Sequence, residues 1–271
     1  MIKEIKSLPD SVIAKIIKFL NEKNLLSDSL LRDGIFSLLD EYCTVLYYPQ
    51  KNENNDGCHV QRLVNNKIEN FVYINTYKSV EKQVFTAAHE LGHILELDDY
   101  LKRNCSEYNS TMQEIAMNKF AALLLMPDDL FRKKIFEYEK DFCSAKGEIT
   151  IDNLIKFSLL LMDYFFVPFK AVVIRLCEVG HLSDDDTDKI ISNKLILEKI
   201  NDYIKILGYK RLGIRSNKKS IKNFAELLEK AEENEVFPKA KIDSIRQKME
   251  LPEIKSESMS STIKFVESKS E

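Results

Sequence analysis

His89, Glu90 and His93, in the string His89-Glu90-Leu91-Gly92-His93, set two imidazoles and a carboxylate within one helical turn. Residues four apart on an α-helix point from the same face, so the ring nitrogens of His89 and His93 can converge on one ion. Glu90 sits beside that face without competing for the same coordination position. A catalytic zinc keeps three protein ligands and an open position for water, whose pKa it lowers towards about 7. Glu90 is then placed to take the proton from that water and deliver it to a leaving amine. The chemistry these residues predict is metal-assisted hydrolysis. The bland alternative is a pair of surface histidines that happen to lie four apart, but the pair makes up half of the chain's four histidines and frames a glutamate.

The surrounding sequence must supply the helix. Val84, Phe85, Ala88, Leu91, Ile94 and Leu95 recur at three- and four-residue spacing with no proline among them, which predicts a helix over about 80–97. Gly92 is its one weak helix former, and beside His93 it can let a strand or substrate approach closely. Two histidines do not complete a catalytic site, so a third ligand must come from elsewhere. Glu96, Asp98 and Asp99 are near in sequence, yet one helix cannot easily fold its own end back over the metal. Glu114, on a second helix ending before Pro127, is the better candidate. Asn118 lies four residues further on the same face, where it can hydrogen-bond a ligand from behind. Glu114 also suits a capping box with Thr111, although Ser110 with Gln113 suits one equally well, so the helix can start without using Glu114.

The string Phe85-Thr86-Ala87-Ala88-His89-Glu90-Leu91-Gly92-His93-Ile94-Leu95, with Glu114 to Asn118 and Phe120-Ala121-Ala122-Leu123-Leu124-Leu125-Met126-Pro127 after it, resembles the ImmA/IrrE metallopeptidase family, of the gluzincin type. The strand-like Phe71-Val72-Tyr73-Ile74-Asn75 and the helical Val167 to Leu182 are similar to the family's flanking elements, and the likeness covers roughly residues 30–182. The resemblance implies His89, His93 and Glu114 as ligands and Glu90 as general base. Met117 stands where the family often has Ala, and Leu123 where it often has Glu; neither touches a predicted ligand. Characterised members cut a helix-turn-helix transcriptional repressor, so the resemblance implies a protein substrate of that kind.

The chain has 271 residues, 44% hydrophobic and 31% charged, enough to bury a substantial core with room for an appended region. Its net charge of −3 gives no global attraction to nucleic acid or to an anionic membrane. Met1 to Leu20 mixes acids with lysines and lacks a signal-like apolar core. The most apolar region, Phe157 to Leu176, is broken by Asp163, Pro168 and Lys170, which argues against a membrane span. Cys43, Cys58, Cys105, Cys143 and Cys177 are odd in number and unpaired in spacing; they read as reduced thiols, Cys143 and Cys177 as small core residues, in a cytoplasmic protein.

Helices are expected at 10–23 and 28–41, then strands around 43–48 and 68–75, the zinc helix and the Glu114 helix. This is an α+β arrangement, a small β-sheet packed on helices with a zincin-type active-site helix, followed by a mostly α-helical C-terminal region. The expected organisation is an N-terminal helical segment (1–29), a metallopeptidase core (30–127), a helix-turn-helix-like extension (128–182), a C-terminal helical region (183–250) and a Ser-, Lys- and Glu-rich disordered tail (251–271). The polar stretch leading into Cys58-His59 reads as a loop or hairpin connection, the pair being either ordinary loop residues or a regulatory ligand. Phe71 to Asn75 is either an edge strand that aligns substrate or a plain core strand.

Helices near 151–164 and from Pro168 to Glu178 have helix-turn-helix spacing, but the second is too apolar for a recognition helix and reads as buried. The basic stretch Lys205, Lys210, Arg211, Arg215, Lys218, Lys219, Lys222 reads as a solvated linker, with phosphate contact as the alternative. Direct nucleic-acid binding is therefore not favoured.

The sequence thus points to a Zn2+-dependent endopeptidase, with Mn2+ as the alternative ion, acting on a protein partner. Tyr73, Tyr100 and Tyr108 are available phenols for an oxyanion donor. Its rivals are a metal-stabilised protein that sequesters a repressor or antitoxin without cutting it, and a DNA-binding regulator.

Overall fold

The computed structural model describes residues 8–26, 29–51, 54–64, 66–144 and 148–251. The chain forms two compact units, one running to Lys222 and one from Asn223. In the first, α1 (Asp10–Glu22) and α2 (Gly34–Tyr42) precede β1 (Thr44–Tyr48), β2 (Gly57–Val64) and β3 (Lys67–Asn75). Then come α3 (Val80–Ile94), α4 (Leu97–Asn104), α5 (Gln113–Leu125), α6 (Asp128–Tyr138), α7 (Ile151–Phe165), α8 (Phe169–Glu178), α9 (Asp184–Ser192), α10 (Lys194–Ile206) and the short strand β4 (Ser220–Ile221). This is the α+β arrangement expected, a small sheet on helices with a helical region after it. The helix predicted to reach residue 97 stops at Ile94, because Glu96 takes a left-handed backbone, φ 60°, and the chain restarts as α4.

The sheet order is β2-β3-β1-β4. β3 is paired on both sides, parallel to β1 and antiparallel to β2. Phe71 to Asn75 is therefore an interior strand, and the edge next to the predicted metal helix belongs to β2. β2 falls on the stretch expected to be a connection: it pairs with β3 from Gly57↔Ile74 through Val64↔Lys67. A strand at an edge satisfies its pairing through backbone groups and leaves one side to solvent, so Gln61 and Arg62 interrupt the apolar alternation that marks interior strands.

α3 lies between the sheet and α5. Its Val84, Ala87, Ala88 and Leu91 are fully buried, as are Ala116, Met117, Phe120 and Ala121 of α5. Gly92 sits at their crossing: a Cβ there would lie 2.8 Å from Met117 Sδ and 3.1 Å from Phe120 Cδ1. The close approach that glycine permits is thus with α5, rather than with a strand or substrate, and it sets the distance between the two helices that carry the candidate ligands.

Beyond α5, Lys119 pairs with Glu178 (2.7 Å), Arg175 pairs with Glu178 (2.9 Å) and with Asp128, and these contacts tie α5, α6 and α8 together. α7 and α8 meet at 103°. α8 buries Phe169, Ala171, Val172, Val173 and Leu176, as its apolar sequence predicts. No single helix among the described residues is long and apolar enough to cross a membrane.

The basic stretch expected to be a solvated linker instead returns to the fold. β4 pairs antiparallel with β1, Ser220 opposite Tyr47 and Ile221 opposite Leu46. Thr76 Oγ1 donates to Lys218 O (2.8 Å), and Asn217 N donates to Thr76 O (3.0 Å). Its cations cover rings: Arg215 lies 4.0 Å from the Tyr77 ring centre and Lys218 4.3 Å from that of Tyr47. The second unit consists of α11 (Phe224–Glu233) and α12 (Lys239–Met249), joined by buried Leu228 and Ile242 and an Arg246–Glu232 pair at 2.6 Å. The tail expected to be disordered lies, from residue 252 on, outside the described residues, as do residues 1–7 and 27–28 of the expected N-terminal segment.

Candidate metal centre

The end of α3 that precedes the histidines is anchored by the returning strap. Ser79 makes no side-chain cap. Instead Val80 N donates to Ile214 O (2.8 Å), and the buried Glu81 carboxylate accepts from Gly213 N with both oxygens at 3.3 Å. Gln83 Nε2 donates to Lys78 O (2.7 Å), while Gln83 Oε1 accepts from Ser216 Oγ (3.0 Å). The first of these bonds satisfies a first-turn N–H that the helix cannot pair by itself, and the others tie first-turn side chains to the neighbouring chain.

Three turns on, His89 Nε2 and His93 Nε2 face each other at 3.3 Å. Glu114 of α5 places Oε2 3.4 Å from His89 Nε2 and Oε1 3.8 Å from His93 Nε2. Donor atoms of these three residues all lie within 4.8 Å of one another. Bonds of about 2.1 Å in a tetrahedral site require donors about 3.4 Å apart, so two of the three separations already have that length. The residues present fit a divalent metal. Glu114 does not cap its helix: Asn109 accepts from Thr111 N at the preceding turn, leaving the Glu114 carboxylate free to face the imidazoles. Its side chain is 72% exposed, so the centre is open to solvent on that side.

Asn118 Oδ1 accepts from His89 Nδ1 at 3.0 Å, which puts the proton on Nδ1 and a lone pair on Nε2. Burial, then the neighbouring His89, holds His93 below the ordinary histidine value. Glu90 is buried beside the pair, and burial, followed by the charge of Glu114, pushes its carboxyl up to about 7.

Of the other acids weighed for the third position, Glu96 forms the left-handed corner and Asp98 is held by Lys102 and by Tyr108 Oη (2.7 Å). Neither they nor Asp99 joins the His89–His93–Glu114 group among the described residues. Tyr73 Oη donates to Tyr48 O (3.0 Å), Tyr108 Oη donates to Asp98, and the Tyr100 hydroxyl hydrogen-bonds Glu22, so all three phenols considered for an oxyanion are engaged elsewhere. All five cysteines are free thiols; Cys105 is the buried one, whereas Cys143 and Cys177 are only half-buried.

One residue near the centre, weighed in sequence as either an ordinary loop residue or a regulatory ligand, lies instead on a strand beside the histidine pair. His59, on β2, lies with its ring 6.3 Å from that of His93 and nearly parallel to it, 21° between planes. What brings it there is strand pairing that the sequence does not announce: His59 lies opposite the buried Val72 of β3.

A helix that offers two imidazoles four residues apart, met by a carboxylate from a second helix beside a small sheet, has the donor set of a metallopeptidase. The sequence profile of the IrrE N-terminal-like domain matches residues 41–176, half of the chain and the stretch that holds His89, Glu90, His93, Glu114 and Asn118, and the chain belongs to this family of metallopeptidases. Among solved structures, a Mycobacterium tuberculosis transcriptional regulator aligns with a TM-score of 0.41 at 15% identity, over 62% of this chain and 47% of that one. The chain thus spans about half the length of that protein. No curated protein sequence matches significantly.

Proposed function

We propose that the protein is a gluzincin-type, zinc-dependent metalloendopeptidase that cuts a protein partner at a defined site, the partner being a helix-turn-helix transcriptional repressor. The observation that carries this reading is the convergence of His89, His93 and Glu114 with Glu90 buried alongside. His89, His93 and Glu114 would hold the ion, Zn2+ in the first instance and Mn2+ as the alternative, and Asn118 would fix the His89 ring. When bound, such an ion lowers the pKa of a water and polarises the scissile carbonyl. Glu90 takes a proton at its carboxylate and hands it to the leaving nitrogen; a carboxyl whose affinity for protons has been raised towards neutrality suits both halves of that task. The open Glu114 side admits an extended segment, and the unpaired edge of β2 offers backbone groups along which it can align.

In this account the core at 30–127 carries the chemistry, while the extension at 128–182 and the helical region to 250 select the partner. A DNA-binding role has less support, because α8 is buried and the cations of the strap lie over aromatic rings. The test is to incubate the zinc-loaded protein and Glu90→Gln with helix-turn-helix repressors of the same genome and to identify product ends by mass spectrometry. Cleavage at one position, lost in a Glu90→Gln protein that still holds metal, supports the proposal. Repressor binding of equal strength in both, without cleavage, favours a sequestering protein instead.

A further inference from the structure

We propose that His59 is a positioning residue of the metal centre: its imidazole backs the ring of His93 and fixes the orientation in which His93 offers Nε2 to the ion. The inference rests on the metallopeptidase reading above and extends it to a strand that contributes no ligand.

The two imidazoles of the pair are supported differently. His89 is oriented through its Nδ1 by Asn118. Among the described residues nothing hydrogen-bonds His93 Nδ1, although a ligating histidine ordinarily has such a partner. What His93 has is a ring against its face: His59, 6.3 Å away and 21° from parallel, within the range of an offset stack.

His59 is itself held in place. Its Nε2 lies 2.8 Å from Asn70 Oδ1, and the same oxygen accepts from Gln61 Nε2 at 3.2 Å. Since Asn70 Oδ1 is the acceptor in both, His59 donates from Nε2, and its ring is pinned to the β2–β3 hairpin. The hairpin is in turn seated against α3. At Gly57, the first residue of β2, a Cβ would lie 2.6 Å from Thr86 Cγ2 and 2.7 Å from Tyr73 O, so only glycine lets the strand come this near the helix. Gly57 meets α3 at Thr86, and His59, two residues along the strand, reaches His93 two turns further along the same helix. Asn70, Gln61, His59 and His93 thus form a continuous support from the hairpin to the metal pair.

The test uses the full chain loaded with Co2+, whose visible absorption reports the ligand field, together with metal affinity from chelator competition and a thermal melt to verify folding. His59→Ala is expected to bind metal 10- to 100-fold more weakly and to shift the Co2+ bands, as loss of a group that orients a ligand does. His59→Phe, which keeps a flat ring but no ligating nitrogen, is expected to restore both. Wild-type affinity and spectrum in His59→Ala overturn the proposal, as does a folded His59→Phe that binds no better than His59→Ala. If wild type binds Co2+ no better than His93→Ala does, the metallopeptidase reading itself fails, and this role fails with it.

Discussion

Asn118 Oδ1 accepts a hydrogen bond from His89 Nδ1 at 3.0 Å, one turn along α5 from Glu114. A single helix face therefore supplies both a carboxylate to the metal position and the group that decides which nitrogen of His89 carries the proton. Removing the carbonyl frees the ring to rotate and to carry its proton on Nε2, where it blocks coordination. Asn118→Ala is expected to weaken zinc binding 10- to 100-fold with the fold intact, measured by chelator competition. Unchanged affinity would remove Asn118 from the site.

The crossing of α3 and α5 leaves no space at Gly92. Alanine is the better helix former by about 1 kcal/mol, yet its methyl would press on Met117 Sδ and the Phe120 ring. Overpacking of this kind typically costs about 1–3 kcal/mol, so Gly92→Ala is expected to lower Tm rather than raise it. Met117→Ala in the same chain should recover part of the loss, because the sulfur is the nearest obstacle. A Gly92→Ala protein that melts higher than wild type would contradict the packing described.

Much of this was legible in the sequence because it is local. The periodicity around His89 and His93 defines α3, and the spacing of Glu114 and Asn118 puts them on one face of α5. What was not legible depends on long-range backbone pairing or on conformation. β2 and β4 are edge strands whose side chains carry little apolar alternation, and they exist because β3 and β1 offer free backbone groups. The left-handed Glu96 that ends the metal helix region has no glycine to announce it. The partner of Gly92 is chosen by the tertiary crossing, and the reach of His59 to His93 depends on a strand that reads as a loop.

The strap anchors α3 in part through Glu81, a buried carboxylate whose two oxygens share the Gly213 N–H. Glu81→Ala leaves that N–H without its acceptor and the first turn of α3 without its tie. A loss of about 1–3 kcal/mol in denaturant unfolding is expected, with faster exchange of the Val80 amide, which donates to Ile214 O. Stability and exchange equal to wild type would show that the strap does not hold the helix.

Two half-buried acids that are neutral at physiological pH resist ionisation in the fold. Burial, then Asp40 and Glu90, pushes the Cys43 thiol up to about 12, and burial, then Cys58 and Tyr48, pushes the Tyr73 phenol up to about 12. For such groups the unfolded chain ionises first, so their contribution is intact below the ordinary value and is lost as pH rises towards the folded one. Tm is expected to fall from about pH 9 towards 12, and Cys43→Ala is expected to fall less steeply over that window. A variant with the wild-type slope would place the alkaline sensitivity elsewhere.

The central claim is that His89, His93 and Glu114 hold one divalent ion, and elemental analysis of the purified protein tests it most directly. Wild type, His93→Ala and Glu114→Ala are measured side by side, each verified as folded. The account predicts about one zinc or manganese per wild-type chain and its loss from both variants. Metal retained at full stoichiometry and affinity in folded Glu114→Ala, or a folded wild type that takes up none after zinc loading, would contradict it.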